Sequence, residues 1–330
     1  MTVSDLFHLL SADYAAGERR PAPPAKAQAV NPAYFPYRSA AAKDAFLAFY
    51  DSLVVKEWPV ASEERMAHTS YGETFVRITG PTSAPPLVLL PGAVTTSLMW
   101  APNIQMLSGV YRTFAVDQIG DIGRTTCTRP VRRFEDLFGW LNELFDALNL
   151  RDGINLAGMS FGGGLAAQYT LHCPERLAKT VLLAPAATVL RLSSVFICRL
   201  FLAAIASRRY LPGMVHWMFA DMARKDPQWI EASLKLLFTG MRSLQPRLLP
   251  VPPVLTDAEW AGMAVPILFL AGEHETIYSA KKAVGRLRRV APRVRAEIIP
   301  GAGHDLTFVQ AEAVDRRILE FLGQQTVAAI

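Results

Sequence analysis

Ser160 lies among four glycines in the stretch LAGMSFGGGLA, which joins a short apolar run to a segment with helical preference. A strand that turns sharply into a helix strains its turn residue, and glycines two positions to either side leave room for the crossing backbone. Gly158 and Gly162 hold those positions. Such a turn exposes the Ser160 hydroxyl and directs the Phe161 N–H at any negative charge that develops beside it. The pattern indicates a nucleophilic serine; the alternative is a tight turn with a passive serine.

A nucleophilic serine also needs a base that removes its proton and a third group that holds the base in the reacting tautomer. Histidine suits this role because its ordinary pKa is near 6.5. His304 follows an apolar run in the glycine-rich loop PGAGH and opens a predicted helix, so we assign it as the base. His274 is a minor rival. The other four histidines are interpreted as surface or core residues: His8, His68, His172 and His216. His68 is expected to lie ahead of the first predicted strand.

Short apolar runs that alternate with helical patterns predict the elements that position these residues. The predicted strands are residues 74–78, 87–90, 112–116, 154–157, 180–183, 267–270 and 296–299. Apolar residues at three- and four-residue spacing predict an amphipathic helix over residues 134–148, and another helix follows the glycine turn to about His172. This alternation is typical of a mostly parallel sheet with helices on both faces.

The region after the strand at residues 180–183 has helical apolar runs and a proline-rich end, RLLPVPPVL, without a convincing strand. We interpret residues 188–260 as a helical cap inserted into a sheet domain of residues 41–187 and 261–330. Residues 1–40 are predicted to form a loosely held N-terminal arm. Six cap residues are candidates for an acyl pocket or, alternatively, for the cap's own core: Phe196, Phe201, Tyr210, Trp217, Met218 and Phe219.

The composition of the 330 residues, 51% hydrophobic and 19% charged, is typical of a globular protein with a sizeable core. No apolar stretch approaches the roughly 20 residues of a membrane span, and the N-terminus lacks a signal-peptide pattern, so a cytoplasmic location is expected. The net charge of +5 accompanies no nucleic-acid-binding motif, and no nucleic-acid partner is expected. Cys127, Cys173 and Cys198 form neither a disulfide framework nor a zinc pattern and are expected to be reduced core residues.

From about residue 73 to residue 321 the chain resembles the α/β-hydrolase superfamily of serine esterases, lipases and thioesterases. The glycine-flanked serine matches the family's nucleophile turn, and LVLLPGAVTTSLMW resembles its oxyanion loop, with Pro-Gly where His-Gly is common. By that match the N–H of Ala93 would join that of Phe161 in holding an oxyanion. VDQIGDIGRT resembles the loop after the next strand, and its Asp117 and Asp121 are interpreted as loop-capping residues. The resemblance implies an α/β-hydrolase fold with the helical cap inserted.

The same resemblance implies where the acid lies. PILFLAGEHETIYS and IIPGAGHDLTF resemble the family segments that carry the acid and the histidine. The commonest family pattern has an aspartate three residues after the glycine that ends the strand, and Glu275 holds that position after Gly272. Glu273 is its nearest rival. Asp305 adjoins His304 in sequence, which makes it difficult for that carboxylate to fold back onto the ring.

These assignments predict hydrolysis of a carboxylic ester through an acyl-enzyme on Ser160, with His304 as the base and Glu275 as the acid. The apolar cap favours a small ester-like substrate with a hydrophobic or aromatic group. A thioesterase, C–C bond hydrolase, peptidase or acyltransferase on the same residues stays open, as does a non-catalytic ligand receptor. Aspartate-nucleophile relatives are disfavoured because a serine holds the turn. Neither a metal nor an organic cofactor is expected.

Overall fold

The structure, a computed structural model, describes residues 36–205, 207–245 and 250–323 and has an eight-stranded sheet at its centre. The strands are β1 Glu63–Thr69, β2 Gly72–Thr79, β3 Pro86–Leu90, β4 Arg112–Val116, β5 Ile154–Met159, β6 Leu177–Leu183, β7 Ile267–Gly272 and β8 Arg295–Ile299. Their spatial order is β1-β2-β4-β3-β5-β6-β7-β8. β2 is antiparallel to both of its neighbours, and every other pair is parallel. The predicted mostly parallel sheet is therefore present.

Helices connect most of the parallel strands. They are α1 Ala40–Glu57, α2 Ala101–Ser108, α3 Phe134–Ala147, α4 Phe161–His172, α5 Ser194–Ile205, α6 Ser207–Met218, α7 Ala220–Lys225, α8 Pro227–Ser243, α9 Asp257–Ala261, α10 Ala280–Val290, α11 Leu306–Val309 and α12 Ala311–Gly323. The predicted helix over residues 134–148 corresponds to α3, and the helix after the glycine turn corresponds to α4. Within the described ranges, none of the helices has the length and apolar character needed to cross a membrane.

The central parallel strands are buried, which explains why their sequences are continuous apolar runs. Every residue of β5 and β7 is buried. One apolar cluster packs α2 and α12 against these strands and includes Leu89, Ile104, Ala157, Leu270 and Ile318. Because this packing fixes the strands, it also fixes the loops at their carboxyl ends, where the candidate residues lie.

The antiparallel edge of the sheet differs from the prediction. His68 was expected ahead of the first strand, but it lies within β1 and pairs with Glu73 of β2. Only Ala67 and Thr69 are buried in β1, whose sequence is EERMAHT. An edge strand with charged residues on its exposed face lacks the apolar alternation that identifies the other strands, so this strand escaped prediction.

The chain between β6 and β7 contains five helices, α5 to α9, and we use the word cap for α5 to α8 and the residues that join them. Their shared core consists of Ala203, Leu211, Met214 and Val215, with Phe196, Met218 and Phe219 packed against it. Three of the six pocket candidates thus contribute to the cap's own core. The prediction that Cys198 is a core residue is wrong, because α5 turns one side to solvent and Cys198 is exposed there with Val195 and Ile205.

The predicted N-terminal arm lies outside the described residues up to residue 35. At residue 37 the chain is firmly held: Tyr37 is fully buried. Its hydroxyl donates a hydrogen bond to the Gly123 carbonyl at 2.7 Å and accepts one from the Gly123 N–H at 3.0 Å. Phe46 of α1 joins the same apolar cluster as Leu236 of α8. Because Ile122 belongs to this cluster too, α1 packs against both the loop after β4 and α8.

Candidate active site

Ser160 forms the sharp turn between β5 and α4. Its φ of 53° and ψ of −114° lie outside the regions that serine ordinarily adopts. The Ser160 N–H donates to the Leu183 carbonyl at 2.9 Å, and the Ser160 carbonyl accepts from the N–H groups of Gly164 and Ala186, both at 2.9 Å. These bonds to the end of β6, the following loop and α4 hold the strained turn at the carboxyl edge of the sheet.

Two glycines let three backbone segments meet at this turn. A Cβ added at Gly158 would lie 2.1 Å from the Gly162 carbonyl oxygen, and a Cβ added at Gly162 would lie 2.4 Å from the Pro91 carbonyl oxygen. Both distances are far shorter than a van der Waals contact. A side chain at either position would push α4 away from β5 or from the loop after β3.

His304 lies in the loop between β8 and α11, and it is only 2% exposed. Its Nε2 lies 3.0 Å from Ser160 Oγ, within hydrogen-bond distance. A general base must be this close to the proton that it removes. His304 can therefore take the serine proton, provided that its other ring nitrogen carries the hydrogen.

Glu275, in the loop after β7, lies against the far side of the same ring. Both of its carboxylate oxygens are 3.1 Å from His304 Nδ1. One of them also accepts the N–H groups of Thr276 at 2.8 Å and Ile277 at 3.0 Å. The Glu275 side chain is fully buried, so these donors take the place of water. A carboxylate at Nδ1 keeps the hydrogen on that nitrogen and leaves Nε2 free to accept the proton of Ser160. We call Ser160, His304 and Glu275 the candidate triad.

The two rival carboxylates have other partners. Glu273 is exposed and accepts a backbone N–H of Gly301 at 3.2 Å. Asp305 is buried and accepts the N–H of Met222, in the cap, at 2.7 Å. Burial raises the pKa of Asp305, while the backbone N–H donors on its carboxylate oppose that shift. The structure thus joins Glu275, and neither rival, to the imidazole.

A titratable neighbour reports the low polarity around Glu275. Tyr278 is buried three residues away in the same loop. Burial raises the pKa of Tyr278 well above its ordinary value, and the negative charge of Glu275 adds to the shift. The upward shift of the Tyr278 pKa shows that Glu275 shares a buried environment with this phenol.

Backbone N–H groups border the serine on the other side. Gly92 lies against Ser160: a Cβ added at Gly92 would be 3.5 Å from Ser160 Cβ, an ordinary van der Waals distance. Ala93 follows it, and Phe161 is the first residue of α4, a position whose N–H has no partner within the helix. Asp121 braces this loop, since its Oδ2 accepts the N–H of the residue after Ala93 at 2.8 Å. The arrangement suits an oxyanion hole.

The second aspartate of the loop after β4 also holds backbone. Asp117 accepts the N–H of Ser97 at 2.7 Å and the N–H of Arg124 at 2.8 Å. Burial raises the pKa of Asp117, and these donors oppose the shift. Both Asp117 and Asp121 therefore stabilise loops, which is the role that the sequence indicates for them.

The other described histidines have partners outside the triad. His274 Nδ1 lies 3.0 Å from Asp221 Oδ2, and His68 pairs with Glu73. His172 and His216 each lie 2.8 Å from a carbonyl four residues earlier in their own helices. His8 lies outside the described residues.

Asp221, the partner of His274, is not among the residues that the sequence analysis selected. Its sequence context offers one weak signal: it is the first acidic residue after Glu175, at the end of a long stretch without carboxylates.

Aromatic side chains form one wall beside the imidazole. The Phe219 ring meets the His304 ring edge to face, with 6.3 Å between the centroids. Phe308 lies 6.2 Å from Phe219 and 4.6 Å from Trp229. Two of these rings come from the cap and one from α11, so an apolar surface spans both parts of the molecule next to the candidate triad.

Comparison with known proteins gives a consistent set of relatives. Residues 87–317 match the Alpha/beta hydrolase family. The chain is 33% identical over 288 residues to carboxylesterase YbfK of Bacillus subtilis. This alignment covers 86% of this chain and 96% of that protein. It is 34% identical over 271 residues to the uncharacterized carboxylesterase nap of the same organism, covering 82% and 89% of the two chains. The crystal structure of naproxen esterase from Bacillus subtilis superposes with a TM-score of 0.77 at 33% identity, covering 86% of this chain and 99% of that one.

Proposed function

Because this chain belongs to the alpha/beta hydrolase family, we propose that it hydrolyses a carboxylic ester through an acyl-enzyme formed on Ser160. Carboxylesterase relatives that align with more than four fifths of the chain support ester hydrolysis. The observation that carries the residue assignment is one continuous hydrogen-bonded chain. It runs from Ser160 Oγ to His304 Nε2 at 3.0 Å and from His304 Nδ1 to Glu275 at 3.1 Å.

In the acylation step, Ser160 Oγ attacks the ester carbonyl carbon while His304 Nε2 takes the hydroxyl proton. Glu275 holds the Nδ1 hydrogen and stabilises the imidazolium that forms. The N–H groups of Ala93 and Phe161 donate to the oxyanion of the tetrahedral intermediate. When the intermediate collapses, the bond to the alcohol oxygen breaks, and the departing alcohol receives the proton from Nε2.

In the deacylation step, a water molecule gives a proton to His304 Nε2 and attacks the acyl carbonyl carbon. The second tetrahedral intermediate uses the same two N–H donors. Its collapse releases the carboxylic acid and returns the proton from Nε2 to Ser160 Oγ. The cycle balances with water as the co-reactant.

The aromatic rings beside His304 are evidence for a substrate that has a hydrophobic acyl or alcohol group. Phe219, Trp229 and Phe308 present ring surface where one arm of a bound ester would lie. Burying such a group against these rings stabilises the bound ester by about 25 cal/mol for each Å² of apolar surface removed from water.

Ser160→Ala tests the proposal. We expect this variant to keep the unfolding temperature of the wild type but to lower the hydrolysis of p-nitrophenyl esters by at least roughly 1,000-fold, because the nucleophile is absent. Labelling by a fluorophosphonate should disappear as well. The matched control is Ser52→Ala, which alters an exposed serine of α1 and should leave turnover and labelling unchanged. Undiminished turnover in Ser160→Ala would refute the assignment.

A further inference from the structure

The short cap helix α7 makes polar contacts with both loops that carry the proposed acid and base. Asp221 Oδ2 lies 3.0 Å from the Nδ1 atom of His274, which belongs to the loop after β7. The Met222 N–H donates at 2.7 Å to Asp305 Oδ2, which belongs to the loop after β8. One helix of the cap is thus joined to two separate loops of the sheet domain.

Each of these contacts lies one residue from the candidate triad. His274 directly precedes Glu275, and Asp305 directly follows His304. Phe219, immediately before α7, also packs against the imidazole of His304. A displacement of α7 would therefore move both loops, and misplacing reacting groups by about 1 Å can cost a hundredfold in rate.

The carboxylates of both contacts are buried. The side chain of Asp221 is 8% exposed and Asp305 is fully buried, whereas the His274 side chain on the other side of the first contact is 53% exposed. A Cβ added at Gly303 would lie 3.4 Å from an oxygen of each carboxylate, so the two converge on that glycine. A buried carboxylate requires hydrogen-bond donors. His274 supplies one to Asp221 from the sheet domain, and Arg224 supplies another from within α7.

We propose that Asp221, His274 and Asp305 are positioning residues that fasten α7 to the two loops and align the acid and the base with Ser160. We call these three residues the clasp. The inference rests on the proposed function, because the alignment affects rate through the triad. While both contacts are formed, α7 holds the two loops and the triad is aligned. When the contacts break, the two loops lose the helix that supports both of them.

The variants for the test exploit the two partners of Asp221. Asp221→Ala and His274→Ala remove the contact between the helix and the acid loop, whereas Asp221→Asn retains an oxygen that accepts the His274 N–H. Arg224→Ala is the matched control, because it removes the other partner of the same carboxylate without crossing to either loop. Asp305→Asn weakens the second contact, since an amide has one acceptor oxygen for the two N–H groups that Asp305 now binds.

Kinetics with p-nitrophenyl butyrate give the first readout. We expect Asp221→Ala and His274→Ala each to lower kcat about tenfold and to change KM less than about twofold. The double variant should lose no more than either single variant, because both remove the same bond. Asp221→Asn should recover most of the loss, Asp305→Asn should lower kcat about fivefold, and Arg224→Ala should stay within about twofold of the wild type.

Amide hydrogen exchange gives a second readout that needs no turnover. Exchange in residues 272–277 and 301–305 should rise about tenfold or more in Asp221→Ala and stay at the wild-type level in Arg224→Ala. A wild-type protein that hydrolyses no ester would contradict the proposed function alone, since exchange still decides whether the clasp holds the loops. Unchanged exchange in Asp221→Ala, a fall in thermal stability without a fall in kcat, or equal losses in Arg224→Ala would overturn the inference.

Discussion

Glu275 holds its place in the candidate triad with one buried carboxylate between His304 and two backbone N–H groups. Glu275→Gln keeps the size of the side chain but removes the charge that stabilises the imidazolium. It also places an amide where both carboxylate oxygens now face Nδ1. We expect kcat for p-nitrophenyl esters to fall by about 100-fold to 10,000-fold, with the circular-dichroism melting curve close to that of the wild type.

The neighbouring carboxylates provide the controls for this substitution. Glu273→Gln alters an exposed residue of the same loop and should keep kcat within about threefold of the wild type. Asp305→Asn should cause a loss much smaller than that of Glu275→Gln, because Asp305 contacts backbone rather than the imidazole. A large loss of kcat in Glu273→Gln together with a small loss in Glu275→Gln would show that Glu273, and not Glu275, is the acid.

The strand-to-helix turn between β5 and α4 depends on close backbone contact. A Cβ at Gly162 would lie 2.4 Å from a carbonyl oxygen of the neighbouring loop. Gly162→Ala must therefore displace α4, and we expect it to lower the free energy of unfolding by about 3 kcal/mol or more and to abolish ester turnover. Urea denaturation followed by circular dichroism measures the first effect.

A helical glycine with open surroundings is the matched control for that turn. Gly285 lies in α10, and a Cβ there would have no heavy atom within 4 Å. Gly285→Ala should raise the free energy of unfolding by about 0.5 to 1 kcal/mol, because alanine favours the helix. Equal effects of the two substitutions would mean that the turn tolerates a side chain and that its glycines have another role.

The aromatic rings beside His304 should influence which ester the enzyme prefers. Phe219 contacts His304 and Phe308, whereas the Trp217 ring is covered by the Arg199 guanidinium at 4.7 Å. We expect Phe219→Ala to change the ratio of kcat/KM between p-nitrophenyl hexanoate and acetate by about tenfold, since a pocket methylene contributes about 1 to 3 kcal/mol of discrimination. Trp217→Ala should leave that ratio unchanged. An equal fall for both esters in Phe219→Ala would indicate that this ring only supports the imidazole.

The stability of the whole molecule should depend on pH through Asp315. This residue of α12 is 1% exposed and accepts a hydrogen bond from the Asn103 side chain of α2 at 2.9 Å. Burial raises the pKa of Asp315 from 3.8 to about 7. The folded protein thus retains a proton that the unfolded chain loses, so stability falls as pH rises from about 4 to about 7 and remains reduced above that range.

Asp315→Asn should remove this loss. We expect the free energy of unfolding in urea to rise at pH 8, by up to roughly 4 kcal/mol, and to change little at pH 4. The new amide can also donate to Asn103 Oδ1, which has no hydrogen-bond partner among the residues that the structure covers. The exposed Asp152→Asn serves as the control. A gain of equal size at both pH values would show that packing, rather than ionisation, is responsible.

The sequence pattern predicts the fold class and indicates Ser160 and His304 as nucleophile and base, and the family resemblance adds Glu275 as the acid. The predicted α/β-hydrolase fold is confirmed by the match of residues 87–317 to that family. Parallel strands buried on both faces produce apolar runs, and the turn at Ser160 requires glycines within two residues, so these signals are local in sequence. The structure brings Ser160, His304 and Glu275 within hydrogen-bond distance of one another in series.

The contacts between the cap and the sheet domain became visible only in the folded chain. Asp221 and His274 are 53 residues apart in sequence, and Met222 and Asp305 are 83 residues apart. No periodic or local pattern relates such pairs, because they meet through the packing of a short helix against two loops. The strand β1 also depended on its neighbour, since its charged residues satisfy their backbone groups by pairing with β2 rather than by burying an apolar face.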